Sequence, residues 1–239
     1  MRKLFILTLL IPVLGIGQTK DVLNSTRIFP KADKISEFEK ALTAHAQKYH
    51  TGDWKWRVFE IQSGPDAGGF QVTEGPLTWQ TFNDRGNLGQ AHTDDWNKNV
   101  SVFLTDRNQQ TYTTYNDSLS TVALTNYTDK IVINHMYPKP GMIRGALDLV
   151  RKMKKVWTDG NESVAVYTAS VSGEPQIITV SRLKDGLKEL ADGYRKPMAE
   201  RYDAAYGAGA WDGYLADYAK YVDKRWSELL FLRADLGSK

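Results

Sequence analysis

The feature that most constrains the fold is a repeat at a constant spacing. The stretches RIFPKAD and HMYPKPG place Pro30-Lys31 and Pro138-Lys139 in equivalent positions, 108 residues apart. The same spacing matches apolar and acidic positions along most of the chain: Ile35 with Ile143, Phe70 with Ile178, Val72 with Val180, Asp84 with Asp192, and Val122 with Leu230. A spacing that holds over so many positions predicts two copies of one structural unit.

The second copy gives the clearer pattern of elements. Residues 129–140 contain three consecutive β-branched residues and end in prolines, which predicts a strand. Apolar positions in 141–157 recur at helical spacing, which predicts a helix. Residues 162–173 and 175–183 predict two further strands separated by a Ser-Gly-Glu-Pro turn. A helical region is expected from 184 to about 222, and a last strand at 227–235.

The first copy predicts the same order. A strand at 26–31 leads into a helix at 34–50, and strands follow at 54–62 and 69–74. A helical region is expected within 77–104, and a closing strand at 119–125. Each copy is therefore a βαββαβ unit of ferredoxin-like type. One such unit leaves a sheet face bare, and two can cover each other.

The predicted fold class is accordingly α+β, with two tandem ferredoxin-like units that form an intramolecular, pseudo-dimeric α/β barrel. The predicted boundaries are 18–127 for the first repeat and 128–239 for the second. Because the second repeat supplies the partner of the first, we expect a monomer in solution.

The first residues have the pattern of a secretory signal peptide. Arg2 and Lys3 precede an apolar run that is too short to span a bilayer, and small residues follow at 15–17. We expect cleavage near Gly17, so that residues 1–17 are removed and the protein is periplasmic or secreted. No membrane association is expected after cleavage.

Composition excludes several classes of site. The chain has no cysteine, which removes disulfides, thiolate catalysis and zinc–thiolate sites. The formal charge is +3, and two of the positive charges belong to Arg2 and Lys3 of the leader. The remaining charges are interspersed in sign, so no nucleic-acid partner is expected.

The strand-to-helix junctions YPKPGM and FPKADK resemble the junction before the first helix of the dimeric α/β-barrel superfamily. This group includes antibiotic-biosynthesis-monooxygenase, NIPSNAP-type and haem-degrading proteins. The resemblance implies that ligands bind between a sheet and its helices or inside the barrel. Haem-degrading relatives combine an Asn, a Trp and a His. Asn134 and His92 occupy two such places, but in different copies, so no cofactor is expected.

The four histidines, at 45, 50, 92 and 135, form no H-x-x-x-H or H-E-x-x-H motif. His45 lies on the apolar stripe of the first predicted helix and His50 at its end, where packing is the expected role. The sequence therefore predicts no metal site.

Two sets of polar and aromatic side chains are the candidate ligand-binding residues. The second copy contributes Asn134, Tyr167 and Arg182, and the first copy contributes Trp56, Glu74 and His92. Asn134 with Arg182 could donate hydrogen bonds to an anion or carbonyl, and Glu74 with His92 could form an acid–base pair. An alternative role for Glu74 and Arg182 is a structural ion pair across the pseudo-two-fold axis.

Three functions remain open from the sequence, and no catalytic residue is assigned. The first is an exported small-molecule-binding protein with an aromatic-lined pocket. The second is a cofactor-independent monooxygenase or related small-molecule enzyme, which needs a bound, oriented and deprotonated substrate. The third is a non-catalytic envelope interaction module. A pocket with convergent polar groups would favour the first two.

Overall fold

A computed structural model describes residues 19–239. The predicted leader lies outside these residues. Eight strands and six α-helices make up the described part of the chain. The strands are β1 (Val22–Pro30), β2 (Trp56–Ile61), β3 (Phe70–Leu77), β4 (Leu104–Tyr115), β5 (Lys130–Pro138), β6 (Val164–Ala169), β7 (Gln176–Arg182) and β8 (Val222–Leu232). The helices are α1 (Ile35–Tyr49), α2 (Trp79–Asp84), α3 (Gln90–Asp95), α4 (Ile143–Asp159), α5 (Met198–Tyr206) and α6 (Ala210–Tyr221).

The eight strands close into one antiparallel barrel. Their order around the barrel is β1-β3-β2-β8-β5-β7-β6-β4. The chain passes through strand, helix, two strands, helices and strand, and then repeats that order. The two halves are joined reciprocally, because β4 pairs with β6 and β8 pairs with β2. Each strand therefore has a neighbour on both sides, although β4 meets β6 only at Thr114 and Tyr115 and β2 meets β8 over three residues. The predicted α+β barrel architecture is confirmed.

The prediction for the last strand of the first half was wrong. Residues 119–125 form turns, and the closing strand is Leu104–Tyr115, which begins where the region predicted to be helical ends. Its sequence, LTDRNQQTYTTY, has no apolar alternation to indicate a strand. Polar side chains are tolerated there because one face of β4 meets a polar part of the barrel interior.

The constant spacing holds for β1, α1 and β2 and then fails. Pro30 and Pro138 both end the first strand of their halves, as predicted. Thr26 pairs with Gln110, whereas its counterpart Asn134 pairs with Ser227. Gln110, not a residue near Val122, therefore occupies the place of Ser227. The predicted match of Val122 with Leu230 was wrong.

The strands divide the molecule into an interior and a helix-covered exterior. The alternating side chains of β5 show which sheet face is which. Ile133 and His135 point into the barrel, and Met136 packs under α4 and α6 on the outside. The barrel core contains Phe59, Ile61 and Leu230 among its buried side chains. Separate apolar clusters hold the helices of each half onto the outside of their own sheet.

No helix within residues 19–239 combines the length and the apolar character that crossing a bilayer requires.

We expect the protein to sediment as a single chain. The barrel completes its hydrogen-bonded circuit within one polypeptide, so each strand of residues 19–239 already has two neighbours and the second half takes the place of a partner subunit. Sedimentation velocity at several protein concentrations measures this directly. A stable dimer across the concentration range would contradict the expectation.

Candidate functional site

Two cavities lie on opposite faces of the first-half sheet. One is inside the barrel and has a volume of about 100 Å³. The other lies between the outer face of the sheet and the segment from α2 to α3, with a volume of about 510 Å³. We call the second one the outer pocket. Its lining residues are Asn24, Thr26, Ile28, His50, Trp56, Val72, Glu74, Arg85, Gly86, Asn87, Leu88, His92, Trp96 and Gln110.

The outer pocket brings together all three candidates from the first copy. Trp56 and Glu74 point outward from neighbouring positions of β2 and β3, which pair at this point. His92 comes from the other side, on α3. The sequence therefore identified three side chains that share one pocket, although they are separated by up to 36 positions.

Glu74 is the buried anion of the outer pocket, and three hydrogen bonds from two side chains hold it. Arg85 donates two parallel hydrogen bonds of 2.8 Å to its carboxylate oxygens. The indole Nε1 of Trp56 donates a third, of 3.1 Å, to Oε2. Bidentate pairing of this kind fixes both position and orientation. Glu74 is therefore a rigid anchor, with both carboxylate oxygens engaged in hydrogen bonds.

Histidines extend from Glu74 across the pocket. The Nδ1 atom of His50 is 3.5 Å from Oε2 of Glu74, and its Nε2 atom is 3.4 Å from Nε2 of His92. The predicted Glu74–His92 pair is thus connected through His50. The His50 ring also stacks on Trp56, with centroids 3.5 Å apart. Packing, the expected role of His50, is only part of what the residue does.

His45 reaches the same place from α1. Its side chain is fully buried, and Nδ1 is 2.7 Å from Oδ2 of Asp95. The ring centroid lies 4.8 Å from that of His92 and 5.3 Å from that of His50. His45, His50 and His92 each offer a ring nitrogen, and these nitrogens lie within 4.8 Å of one another. We call these three residues the histidine cluster.

The electrostatic environment favours neutral imidazoles. Burial lowers the pKa of His45, and the hydrogen bond to Asp95 offsets this only in part. Burial likewise lowers the pKa of His50 and of His92. The hydrogen bond from His45 lowers the pKa of Asp95, so that carboxylate is charged. Near pH 7 the histidine cluster is therefore uncharged and keeps free nitrogen lone pairs.

Unpaired buried polar atoms concentrate at this site. Within residues 19–239, four buried side-chain nitrogen or oxygen atoms lack a hydrogen-bond partner. Three of them are His45 Nε2, His50 Nδ1 and Arg85 Nε, and the fourth is the distant Tyr218 hydroxyl. The 3.5 Å approach of His50 Nδ1 to Glu74 does not have hydrogen-bond geometry. Such atoms are rare in folded proteins and point to a missing partner.

The barrel interior contains a different polar network. Arg27 contacts Asp66 and Glu228, and Nε2 of His135 lies 2.9 Å from Oε1 of Glu228. Burial alone would lower the pKa of Arg27, but the charges and hydrogen bonds of Glu228 and Asp66 raise it above its usual value. These charges satisfy one another, so the network is a structural part of the barrel core.

The candidates from the second copy do not form one site. Tyr167 and Arg182 point into the barrel, but Asn134 lies on the opposite face of β5 from the interior residues Ile133 and His135. Strand alternation keeps the side chain of Asn134 away from the other two. The prediction that these three residues share a pocket was wrong.

Arg182 is held by backbone groups. Its guanidinium donates hydrogen bonds of 2.7 and 2.9 Å to the carbonyls of Ala123 and Leu124, and it also contacts the carbonyl of Asn126. The Tyr167 hydroxyl lies 3.4 Å from Nη2, and burial raises the pKa of this tyrosine to about 12. Arg182 therefore anchors the 116–129 connection to the barrel. The proposed ion pair with Glu74 was wrong, because Glu74 is paired with Arg85.

Sequence reasoning missed Arg85, Asp95 and the joint role of His45 and His50. The two histidines are five positions apart, which matches no metal-binding motif. His92 follows more than 40 positions later. The one available signal was that His45 occupies the buried stripe of α1, where a polar ring needs a partner.

Comparison with known proteins supports the fold alone. No family model and no curated protein matches the chain. An anthrone oxidase-like protein is 13% identical and superposes with a TM-score of 0.58, covering 90% of this chain and 92% of its own. A Fusobacterium nucleatum protein that carries the name of a monooxygenase is 12% identical, with a TM-score of 0.55 and coverages of 88% and 91%.

A chlorite dismutase from Candidatus Nitrospira defluvii, in mutant form, is 7% identical, with a TM-score of 0.53 and coverages of 90% and 92%. These solved structures share the barrel architecture at identities too low to carry a function. The described part of this chain has the general fold of dimeric α/β-barrel proteins, closed within one polypeptide.

Proposed function

We propose that the protein is an exported small-molecule-binding protein and that its ligand occupies the outer pocket. The observation that carries this proposal is the convergence of Trp56, Trp96, Glu74, Arg85 and His92 on one cavity of about 510 Å³. A cavity of this volume with aromatic side chains and fixed polar groups in its walls has the features of a small-ligand site, and polar side chains outnumber apolar ones in its lining. The barrel cavity, of about 100 Å³, is too small for a comparable ligand.

The walls of the outer pocket favour a planar aromatic ligand with a hydroxyl or carboxylate group. Trp96 and Trp56 present aromatic surfaces with centroids 6.2 Å apart and planes at 89°. Flat rings pack well against such surfaces. Polar groups at the edges include Asn24, Gln110 and Asn87, which offer both donors and acceptors.

Binding of 1-hydroxy-2-naphthoate to metal-free protein, measured by calorimetry, tests the proposal. We expect Trp96→Ala to weaken binding about fivefold, because one aromatic contact contributes about 1 kcal/mol. The control is Trp79→Ala, since Trp79 is 44% exposed and lines a separate surface groove with Tyr112. Equal affinities for the two variants and the wild type would argue against the outer pocket.

The alternative is a cofactor-independent monooxygenase or related enzyme acting at the same pocket. The contiguous chain Glu74–His50–His92 favours it, because it links a fixed carboxylate to a ring at the pocket surface. The names of two structural neighbours, a monooxygenase and an anthrone oxidase-like protein, agree with this alternative. Oxygen uptake with a hydroxynaphthoate, dependent on His92 and absent from heat-denatured protein, would support it. Binding without turnover would favour the binding protein.

The convergent polar groups of the outer pocket favour a small-molecule role over the third alternative, a non-catalytic envelope interaction module. Export rests on the leader sequence, and mass spectrometry of protein from the native host tests it; retention of residues 1–17 would refute it.

We also propose that the chain arose by tandem duplication. The repeated element order and the reciprocal pairing of β4 with β6 and β8 with β2 support that origin.

A further inference from the structure

The histidine cluster has a feature that ligand binding and side-chain packing leave unexplained. Packing would account for the buried rings, but it does not account for a fully buried His45 whose Nε2 atom has no partner. Leaving a buried polar atom unpaired is costly. Three imidazoles gathered around such an atom are better explained by a common ligand.

We propose that His45, His50 and His92 bind one divalent transition metal ion of the zinc class at the inner end of the outer pocket. Neutral imidazole is a preferred ligand for Zn²⁺, Co²⁺ and related ions. The three residues supply three nitrogens from two separate segments, α1 with the residue after its end, and α3. This site goes beyond the proposed ligand-binding function and does not depend on it.

The spacing of the nitrogens fits a single ion. Two ligands at about 2.0–2.1 Å from zinc, at a tetrahedral angle, lie about 3.3 Å apart. The Nε2 atoms of His50 and His92 are 3.4 Å apart. All three ligand nitrogens lie within 4.8 Å of one another, so small rotations of the third ring complete the set.

The atoms behind the rings provide the orientation that metal-bound histidines require. The carboxylate of Asp95 accepts a hydrogen bond of 2.7 Å from Nδ1 of His45, which leaves Nε2 of that ring to bind the metal. Asp95 is itself held by Asn99, whose amide donates a 3.0 Å hydrogen bond to Oδ1. Glu74 lies behind Nδ1 of His50. Carboxylates in these positions fix the ring and increase the basicity of the ligand nitrogen.

The local charge also accommodates a dication. Asp95 and Glu74 contribute two negative charges, and Arg85, which is paired with Glu74, contributes one positive charge. Because Arg85 and Trp56 already occupy the Glu74 oxygens, Glu74 remains behind the histidines and is not a fourth ligand. The fourth position faces the outer pocket, which is the arrangement of a metal site that admits water or substrate.

Metal titration of untagged, EDTA-treated protein tests this proposal without any organic ligand. We expect Zn²⁺ and Co²⁺ to bind with one-to-one stoichiometry by calorimetry, and Co²⁺ to develop the visible absorption of a four-coordinate site. His92→Ala should weaken Zn²⁺ binding at least about 100-fold, and Asp95→Asn about 10-fold to 100-fold. His92 and Asp95 are partly exposed, so both variants should fold, and circular dichroism checks this.

The matched control is His135→Gln, which removes the fourth histidine, located in the barrel interior and remote from the cluster. It should leave metal affinity unchanged. Failure of the wild type to bind either ion, or binding that His92→Ala and Asp95→Asn leave intact, would overturn the proposal. The hydroxynaphthoate experiment uses metal-free protein and the Trp96→Ala variant, so failure of one proposal is distinguishable from failure of the other.

Discussion

Replacing Arg27 with methionine is expected to lower the free energy of unfolding by about 3–5 kcal/mol, because it leaves a buried charge without its partner. The side chain of Glu228 is fully buried, and that of Arg27 is 8% exposed. Glu228 would retain only its 2.9 Å contact with His135. Urea denaturation of the wild type and of Arg27→Met, followed by circular dichroism, measures the difference.

Arg107 offers a matched control, since it bonds the other oxygen of the same Asp66 carboxylate but is 55% exposed. Arg107→Met should cost less than about 1 kcal/mol, as exposed ion pairs do. The double variant Arg27→Met, Glu228→Met should be more stable than Arg27→Met alone, because it removes the unpaired charge. Similar losses for Arg27→Met and Arg107→Met would show that burial of the charges is not the cause.

Replacing Arg182 with methionine is expected to cost about 3 kcal/mol, because it removes charged donors from three backbone carbonyls of the 116–129 connection. That connection links the two halves of the barrel and has no regular structure of its own. Thermal and urea denaturation measure the loss. Limited proteolysis should show faster cleavage within the connection.

Arg57 is the comparison for Arg182, because both guanidinium groups lie over the ring of Tyr127, which lines the barrel cavity, at 4.0 and 5.1 Å from its centroid. Arg57 donates to one carbonyl only, that of Gly75. Arg57→Met should therefore cost about 1 kcal/mol. Equal losses for the two variants, or unchanged stability in Arg182→Met, would contradict the anchoring role of Arg182.

The sequence by itself determined the elements that have a strong apolar pattern. The helices α1 and α4 have apolar stripes at helical spacing, because each buries one side against the barrel, and β2 and β6 are short runs with several buried apolar residues. The equivalence of Pro30 and Pro138 followed from the same pattern. Strand β4 has no such pattern, since both its faces are largely polar, and only its pairing with β1 and β6 identifies it as a strand.

The site divides in the same way. The predicted alternation of side chains along the strands, together with a family resemblance, was sufficient to choose Trp56, Glu74 and His92. Each of these contributes a polar or aromatic group to the outer pocket. The same reasoning also chose Asn134, which strand alternation turns away from Tyr167 and Arg182. The local sequence predicts which side chains of one strand share a face. Which of the two faces becomes the barrel interior depends on how all eight strands close.

Only the tertiary structure decided that His45, His50 and His92 meet. His45 lies on α1 and His50 directly follows that helix, so the two are near each other in sequence. His92 is brought to them by the folding of α3 over the first-half sheet. No local sequence pattern predicts this contact between the three histidines, because it depends on the packing of Trp56 and Trp96 against the same rings. Contacts between segments far apart in sequence come from the burial of these shared aromatic surfaces, which exists only once α3 has folded over the first-half sheet.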